Sequence, residues 1–220
     1  MLLEVLREEV LDKAKQMVID GLAYGSGGNI SALDRESGLI AITPSAIEYY
    51  KMKSEDIVII DPHGKVVAGL WKPTSETPMH SIFYRQREDV GAVVHTHAPY
   101  ASVFAIINEP IPMVVTEAAL CIGEPVKVAP YLRPGTEDLA QLVLETMGEG
   151  VAVLLGQHGM LTVGPDLREA YETTVATEIS ARLTILARSM GTEPSSLDLG
   201  EVAVLRKLHL LGYHPTTNEA

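Results

Sequence analysis

The chain has 220 residues, 46% of them apolar, which suits a single α/β domain over 1–220 with a sizeable core. Acids outnumber bases by 29 to 17, a formal charge of −12, so the surface repels phosphate backbones and nucleic acid is excluded as a partner. There is no bilayer-length apolar run and no signal-peptide core at the N-terminus, and the lone Cys121 allows neither an internal disulfide nor a thiolate zinc cage, so the expectation is a cytoplasmic protein without a membrane partner.

Residues 3–21 read as an amphipathic helix, with Leu6, Val10, Ala14 and Met17 at spacings of three and four and Gly21 as the stop. The run Gly25-Ser26-Gly27-Gly28-Asn29 is too flexible for a regular element. A strand over 39–43 ends at Pro44, and 56–60 with 65–68 form a hairpin around Asp61-Pro62-His63-Gly64. Residues 75–87 read as a helix, with Ser75 as N-cap and Pro78 in the tolerated first turn. A strand over 91–97, a short helix over 99–107 and a strand over 126–129 follow. Thr136 caps a helix over 136–148, and strands over 151–155 and 160–163 flank Gln157-His158-Gly159. Asp166 opens a long helix that Gly191 closes, a last helix covers 198–211, and the tail after Gly212 is polar. Strands cluster between terminal helices without β-α-β alternation, which favours a largely antiparallel sheet covered by helices.

Four features carry chemistry. His95 and His97 are two apart on a strand, so both imidazoles point to one side where a buried apolar run emerges. His158 follows a second apolar strand, and with the pair it makes a three-imidazole set with an open position, the pattern of a catalytic zinc site. Taken singly, each histidine is better explained as a polar residue closing a strand or turn. Thr74-Ser75-Glu76 places hydroxyls at a helix N-terminus, an anion site, although Ser75 as a plain cap and Glu76 as a first-turn acid explain it too. The glycines before Asn29 allow close backbone approach to a ligand, and Ser45 follows a strand at Thr43-Pro44-Ser45. His80 falls inside a helix and reads as a packing or hydrogen-bonding residue, and His63 as a solvated turn residue.

The order of motifs G-G-N-I-S, I-T-P-S, T-S-E-x-x-x-H, V-V-H-T-H-A, A-P-Y-x-x-x-G-T and Q-H-G-M resembles the class II aldolase/adducin family along essentially the whole chain. The resemblance implies a three-layer αβα fold with a central, mainly antiparallel sheet, and a homotetramer with sites between subunits. It implies Zn2+, or another divalent transition metal, on His95, His97 and His158, with Glu76 as acid–base residue and Gly28, Asn29, Ser45, Thr74 and Ser75 around a substrate phosphate. The implied reaction cleaves a ketose 1-phosphate, fuculose 1-phosphate or a 5-deoxypentulose phosphate, to dihydroxyacetone phosphate and an aldehyde. The enediolate left by that cleavage is stabilised by the Lewis-acidic ion, and no Schiff-base lysine is required.

Three positions depart from the aldolase pattern. Ala46 stands where the phosphate loop usually has Gly, Thr116 where a tyrosine lies near the aldehyde, and Leu211 where a C-terminal tyrosine donates a proton, leaving Tyr213 as its replacement. The alternatives in the same family are a pentulose-5-phosphate 4-epimerase, a methylthioribulose-1-phosphate dehydratase and a non-enzymatic scaffold like the adducin head. Thr77-Pro78 and Thr116 are epimerase-like, but Leu120 occupies the place of the epimerase acid, and the scaffold lacks the metal ligands present here.

Overall fold

The computed structural model describes residues 1–212, so Tyr213 and the polar tail lie outside the described residues. Helix α1 (Glu4–Ile19) leads into strands β1 (Asn29–Asp34) and β2 (Leu39–Ile42). Two 3-10 turns, Tyr49–Lys51 and Ser54–Asp56, precede the hairpin β3 (Val58–Ile60) and β4 (Val66–Ala68). Then come α2 (Thr77–Gln86), β5 (Ala92–Thr96), α3 (Pro99–Ile107), α4 (Thr116–Cys121), β6 (Val128–Ala129) and α5 (Glu137–Met147). The hairpin β7 (Ala152–Leu155) and β8 (Gly159–Gly164) is followed by α6 (Leu167–Ser189) and α7 (Leu199–Leu210).

The strands form one sheet in the order β4-β3-β2-β1-β5-β8-β7-β6. Every pairing is antiparallel except β6 with β7. That one parallel pair is joined through α5, the crossover a parallel connection needs. Period-two alternation divides the sheet into two buried faces. One face carries Ile30, Ala32, Ala92, Val94, Leu154 and Met160, packed with Val10 and Met17 of α1, Phe104 of α3 and Ala170 of α6. The other carries Val93, Val153, Leu161 and Val163 against Met79 and Phe83 of α2 and Leu139 and Val143 of α5. The expected three-layer αβα arrangement is therefore present. Among the described residues, no helix is long and apolar enough to cross a membrane.

Most elements fall within a few residues of their expected bounds. Thr136 Oγ1 accepts from Leu139 N–H and Asp166 Oδ1 from Glu169 N–H, so both expected caps are made. Ser75 is a correction. It is exposed, Glu76 occupies the N-cap position of α2, and Thr74 Oγ1 accepts from Glu76 N–H at 3.3 Å. The two 3-10 turns, β1 and α4 have no counterpart among the expected elements. Strand β1 begins inside the glycine-rich run, and α4 is a helix of only 6 residues.

The loop after β2 contains Ala46 at φ 61°, in the left-handed region that costs an L-residue about 1–2 kcal/mol. Glycine there removes that cost but adds unfolded-chain entropy worth about 0.4–1 kcal/mol. Ala46→Gly is therefore expected to stabilise the protein by roughly 0.5–1 kcal/mol. Urea denaturation checks it, and a lowered midpoint contradicts it.

Candidate metal centre

Three neighbouring elements on one sheet face build the site. Strand β5 runs between β1 and β8, with Asn29 opposite His95 and His95 opposite Leu161. His95 lies on the face covered by α2, and His97 follows just past the strand end. Pro99 then starts α3. His158 sits in the turn between β7 and β8, where the preceding Gln157 takes φ 56°. Thr96 pairs with Met160, so the end of β5 and the start of β8 meet at one edge of the sheet. Gly159 makes that approach possible: a Cβ there would lie 2.3 Å from Thr96 O. Gly28 has a matching role across β1, since its φ is +74° and a Cβ would lie 2.6 Å from His95 O.

The three rings converge, with centroids 4.8 to 5.1 Å apart. His95 Nε2 and His97 Nε2 are separated by 3.1 Å. Two ligands on one tetrahedral zinc, each at 2.0–2.1 Å, are about 3.3 Å apart, so the spacing fits an ion. Among the described residues, His95, His97 and His158 form the one cluster able to hold a metal, with ligand atoms all within 4.8 Å of one another. His95 Nδ1 lies 2.9 Å from Met160 O. Donation of Nδ1–H to that carbonyl directs the Nε2 lone pair into the cluster, as in metal-ligating histidines.

Glu76 enters from the N-cap position of α2. Its Oε2 lies 3.0 Å from His95 Nε2, and its Oε1 lies 3.6 Å from His158 Nε2. Asn29 Nδ2 donates to Oε2 at 2.9 Å. Glu76 Oε1 and His158 Nδ1 are buried without a hydrogen-bond partner. Such orphaned atoms are rare in folded proteins and commonly mark an ion or ligand position. The donor set, its spacing and these two atoms all fit a divalent cation.

Burial alone would raise the Glu76 pKa. The charge and hydrogen bond of His95, with Asn29 and His158, outweigh it and hold the carboxyl well below its usual range. Burial and the neighbouring rings push His97 down to about 4, and the same causes lower His158. His95 is the opposite case: burial lowers its pKa, but Glu76's charge and hydrogen bond, with the Met160 carbonyl, raise it above 6.5 overall. Beside the cluster, burial pushes His80 down to about 3.

The other expected site residues differ in exposure. Ser45 is exposed, with its N–H donating to Lys72 O, and Thr74 N–H donates to Thr43 O, which ties the loop after β2 to the segment before α2. Thr74 is buried and Ser75 exposed. Asn29 is buried with both ends of its amide engaged, by Glu76 and by His80. Tyr49, which is not among the expected site residues, is buried beside the site and its hydroxyl donates to Gly28 O at 2.6 Å. Ser31 and Tyr84 likewise lie outside the expected site residues. Nothing in residue type or spacing singles these three out.

Residues 8–185 match the family described as Class II Aldolase and Adducin N-terminal domain, and the chain belongs to that family. It is 42% identical over 207 residues to a 5-deoxy-D-ribulose 1-phosphate aldolase of Bacillus thuringiensis serovar kurstaki, covering 94% of this chain and 96% of that one. A solved structure of an L-fuculose 1-phosphate aldolase superposes with a TM-score of 0.88 at 37% identity, over 92% of this chain and 95% of the other. An L-ribulose-5-phosphate 4-epimerase UlaF of Salmonella paratyphi B is 32% identical over 211 residues, covering 89% and 91%.

In the metal-free protein His95 is the ring that holds a proton to the highest pH, and a metal must displace it. Zinc binding is therefore expected to release a proton near neutral pH, and affinity should fall as pH drops through the raised His95 pKa. Isothermal titration in buffers of different ionisation enthalpy measures the proton count. Binding with no proton release, and affinity flat from pH 8 to about 6, would contradict the assignment.

Proposed function

We propose that this chain is a metal-dependent aldehyde-lyase that cleaves a ketose 1-phosphate, of the 5-deoxypentulose or fuculose type, to dihydroxyacetone phosphate and an aldehyde. The observation that carries the reading is a buried carboxylate, Glu76, 3.0 Å from His95 Nε2 at the edge of a three-histidine cluster. His95, His97 and His158 would hold the ion, and a set of three imidazoles suits zinc or another divalent transition metal. When bound, the ion supplies Lewis acidity for the charge that builds on substrate oxygens as the carbon–carbon bond breaks.

Glu76 handles the proton. Its carboxyl is held ionised, the form a base needs to take the C3 proton of dihydroxyacetone phosphate in condensation. In cleavage the same group returns that proton. Oε2 is held by Asn29, so Oε1 is the oxygen available to carry it. The exposed Ser45 and Ser75, with Thr74 and the backbone at Gly28, offer hydroxyl and N–H donors to the phosphate. On a chain of charge −12, such donors and the ion provide the positive potential an anionic substrate requires. The resemblance also puts Asn29 at the phosphate; with its amide engaged, it would contribute there through the backbone. Tyr213 would give the aldehyde oxygen its proton.

Epimerisation needs a further acid where Leu120 stands, and this favours the aldolase over the epimerase reading. Exposed apolar residues on the adjacent helices α3 and α6, among them Val103, Ile106, Ile179 and Leu183, support self-association as a homotetramer with sites between subunits. A free, half-buried Cys121 suits a cytoplasmic setting.

The reading predicts that Glu76→Gln retains its metal and loses exchange of the C3 protons of dihydroxyacetone phosphate with solvent by at least about a hundredfold. Deuterium incorporation followed by NMR checks it, and undiminished exchange removes Glu76 from this role. Assays with 5-deoxyribulose 1-phosphate, fuculose 1-phosphate and ribulose 5-phosphate separate cleavage from epimerisation.

A further inference from the structure

A column of buried and half-buried polar side chains runs beneath Glu76, and below Asn29 the chemistry above does not use it. It forms because a strand repeating every two residues faces a helix repeating every four. Strand β1 presents Asn29 and Ser31, while α2 presents Glu76, His80 and Tyr84. His80 Nε2 lies 2.5 Å from Asn29 Oδ1, and His80 Nδ1 lies 2.7 Å from Ser31 Oγ. Ser31 Oγ is in turn 2.7 Å from Tyr84 OH. His80 and Ser31 are fully buried.

One direction of donation satisfies every member. An ionised carboxylate only accepts, so Asn29 must present its Nδ2–H to Glu76. Its Oδ1 then faces His80, which must carry its proton on Nε2. His80 Nδ1 is left as an acceptor for the Ser31 hydroxyl, and Ser31 Oγ accepts from Tyr84. The donors all point up the column, toward Glu76. Reversing the Asn29 amide would set its oxygen against the carboxylate and leave a buried donor of His80 without an acceptor, which is costly in a buried site.

We infer that His80 is a positioning residue for proton transfer. It locks the Asn29 amide in the orientation that holds Glu76 Oε2, and so keeps Oε1 free to carry the proton. This rests on Glu76 being the proton carrier. A column serving only to pack α2 on the sheet would work as well with apolar side chains of similar volume.

The test compares His80→Leu, which removes both hydrogen bonds, with His80→Gln, whose amide supplies a donor and an acceptor. In the zinc-loaded enzyme, His80→Leu should lower kcat and C3 proton exchange about 10–100-fold, with KM and zinc content within about twofold of wild type. His80→Gln should recover most of that loss. In wild-type protein labelled with 15N histidine, His80 should appear as the neutral Nε2–H tautomer. If His80→Leu does not fold, Ser31→Ala carries the same kinetic expectation, since it frees the ring from its lower partner. An Nδ1–H or charged His80, wild-type kcat in the Leu variant, equal impairment of Leu and Gln, or a loss confined to KM or zinc content would each overturn the inference. A fully active Glu76→Gln enzyme overturns the functional reading instead. An inactive Glu76→Gln beside an unimpaired His80→Leu overturns this inference alone.

Discussion

The carboxylate of Glu76 faces the Nε2 of His95 at 3.0 Å, in a setting where both side chains are almost shut off from water. A buried charge of that kind is costly unless each of its neighbours is fixed in place. The architecture around it supplies the fixing. Strand β5 lies between β1 and β8, so the ring of His95 is bounded by Asn29 on one side and by the start of β8 on the other. Helix α2, clamped to the sheet by Met79 and Phe83, delivers Glu76 from its N-cap position.

The antiparallel order matters for the same reason. Because β5 runs out where β8 begins, His97 and the turn carrying His158 share one edge although they are 61 residues apart in sequence (97 to 158). Side-chain-free residues at the crossings let the backbones approach. Gly28 and Gly159 stand where a Cβ would collide with carbonyl oxygens of His95 and Thr96. The loop carrying Ala46 does not enjoy that freedom and keeps its left-handed turn at a strain cost.

Much of this arrangement was legible in the sequence. Two histidines separated by one residue after Ala92-Val93-Val94 announce a common side of a strand, and the hairpin turn around His158 could be read from its flanking apolar runs. The role suggested for Glu76 came from the resemblance, because as an isolated residue it also reads as an ordinary first-turn acid. Strand β1 escaped notice for a physical reason. Its α2-facing side buries Asn29 and Ser31, so the usual contrast between apolar inside and polar outside is reversed there. The same reversal concealed the column through His80 and Tyr84: hydropathy has no means of distinguishing a satisfied buried polar group from a solvated one. Helix α4, at 6 residues, is too short to establish a period.

The proposed chemistry requires three imidazoles to hold a single cation beside the Glu76 carboxylate. Anomalous diffraction collected at the zinc absorption edge from crystals of the metal-loaded protein tests that most directly. The predicted result is one strong peak about 2.0–2.1 Å from a ring nitrogen of each of His95, His97 and His158, on the side facing Glu76. A peak elsewhere, or no peak at full zinc saturation, would contradict it.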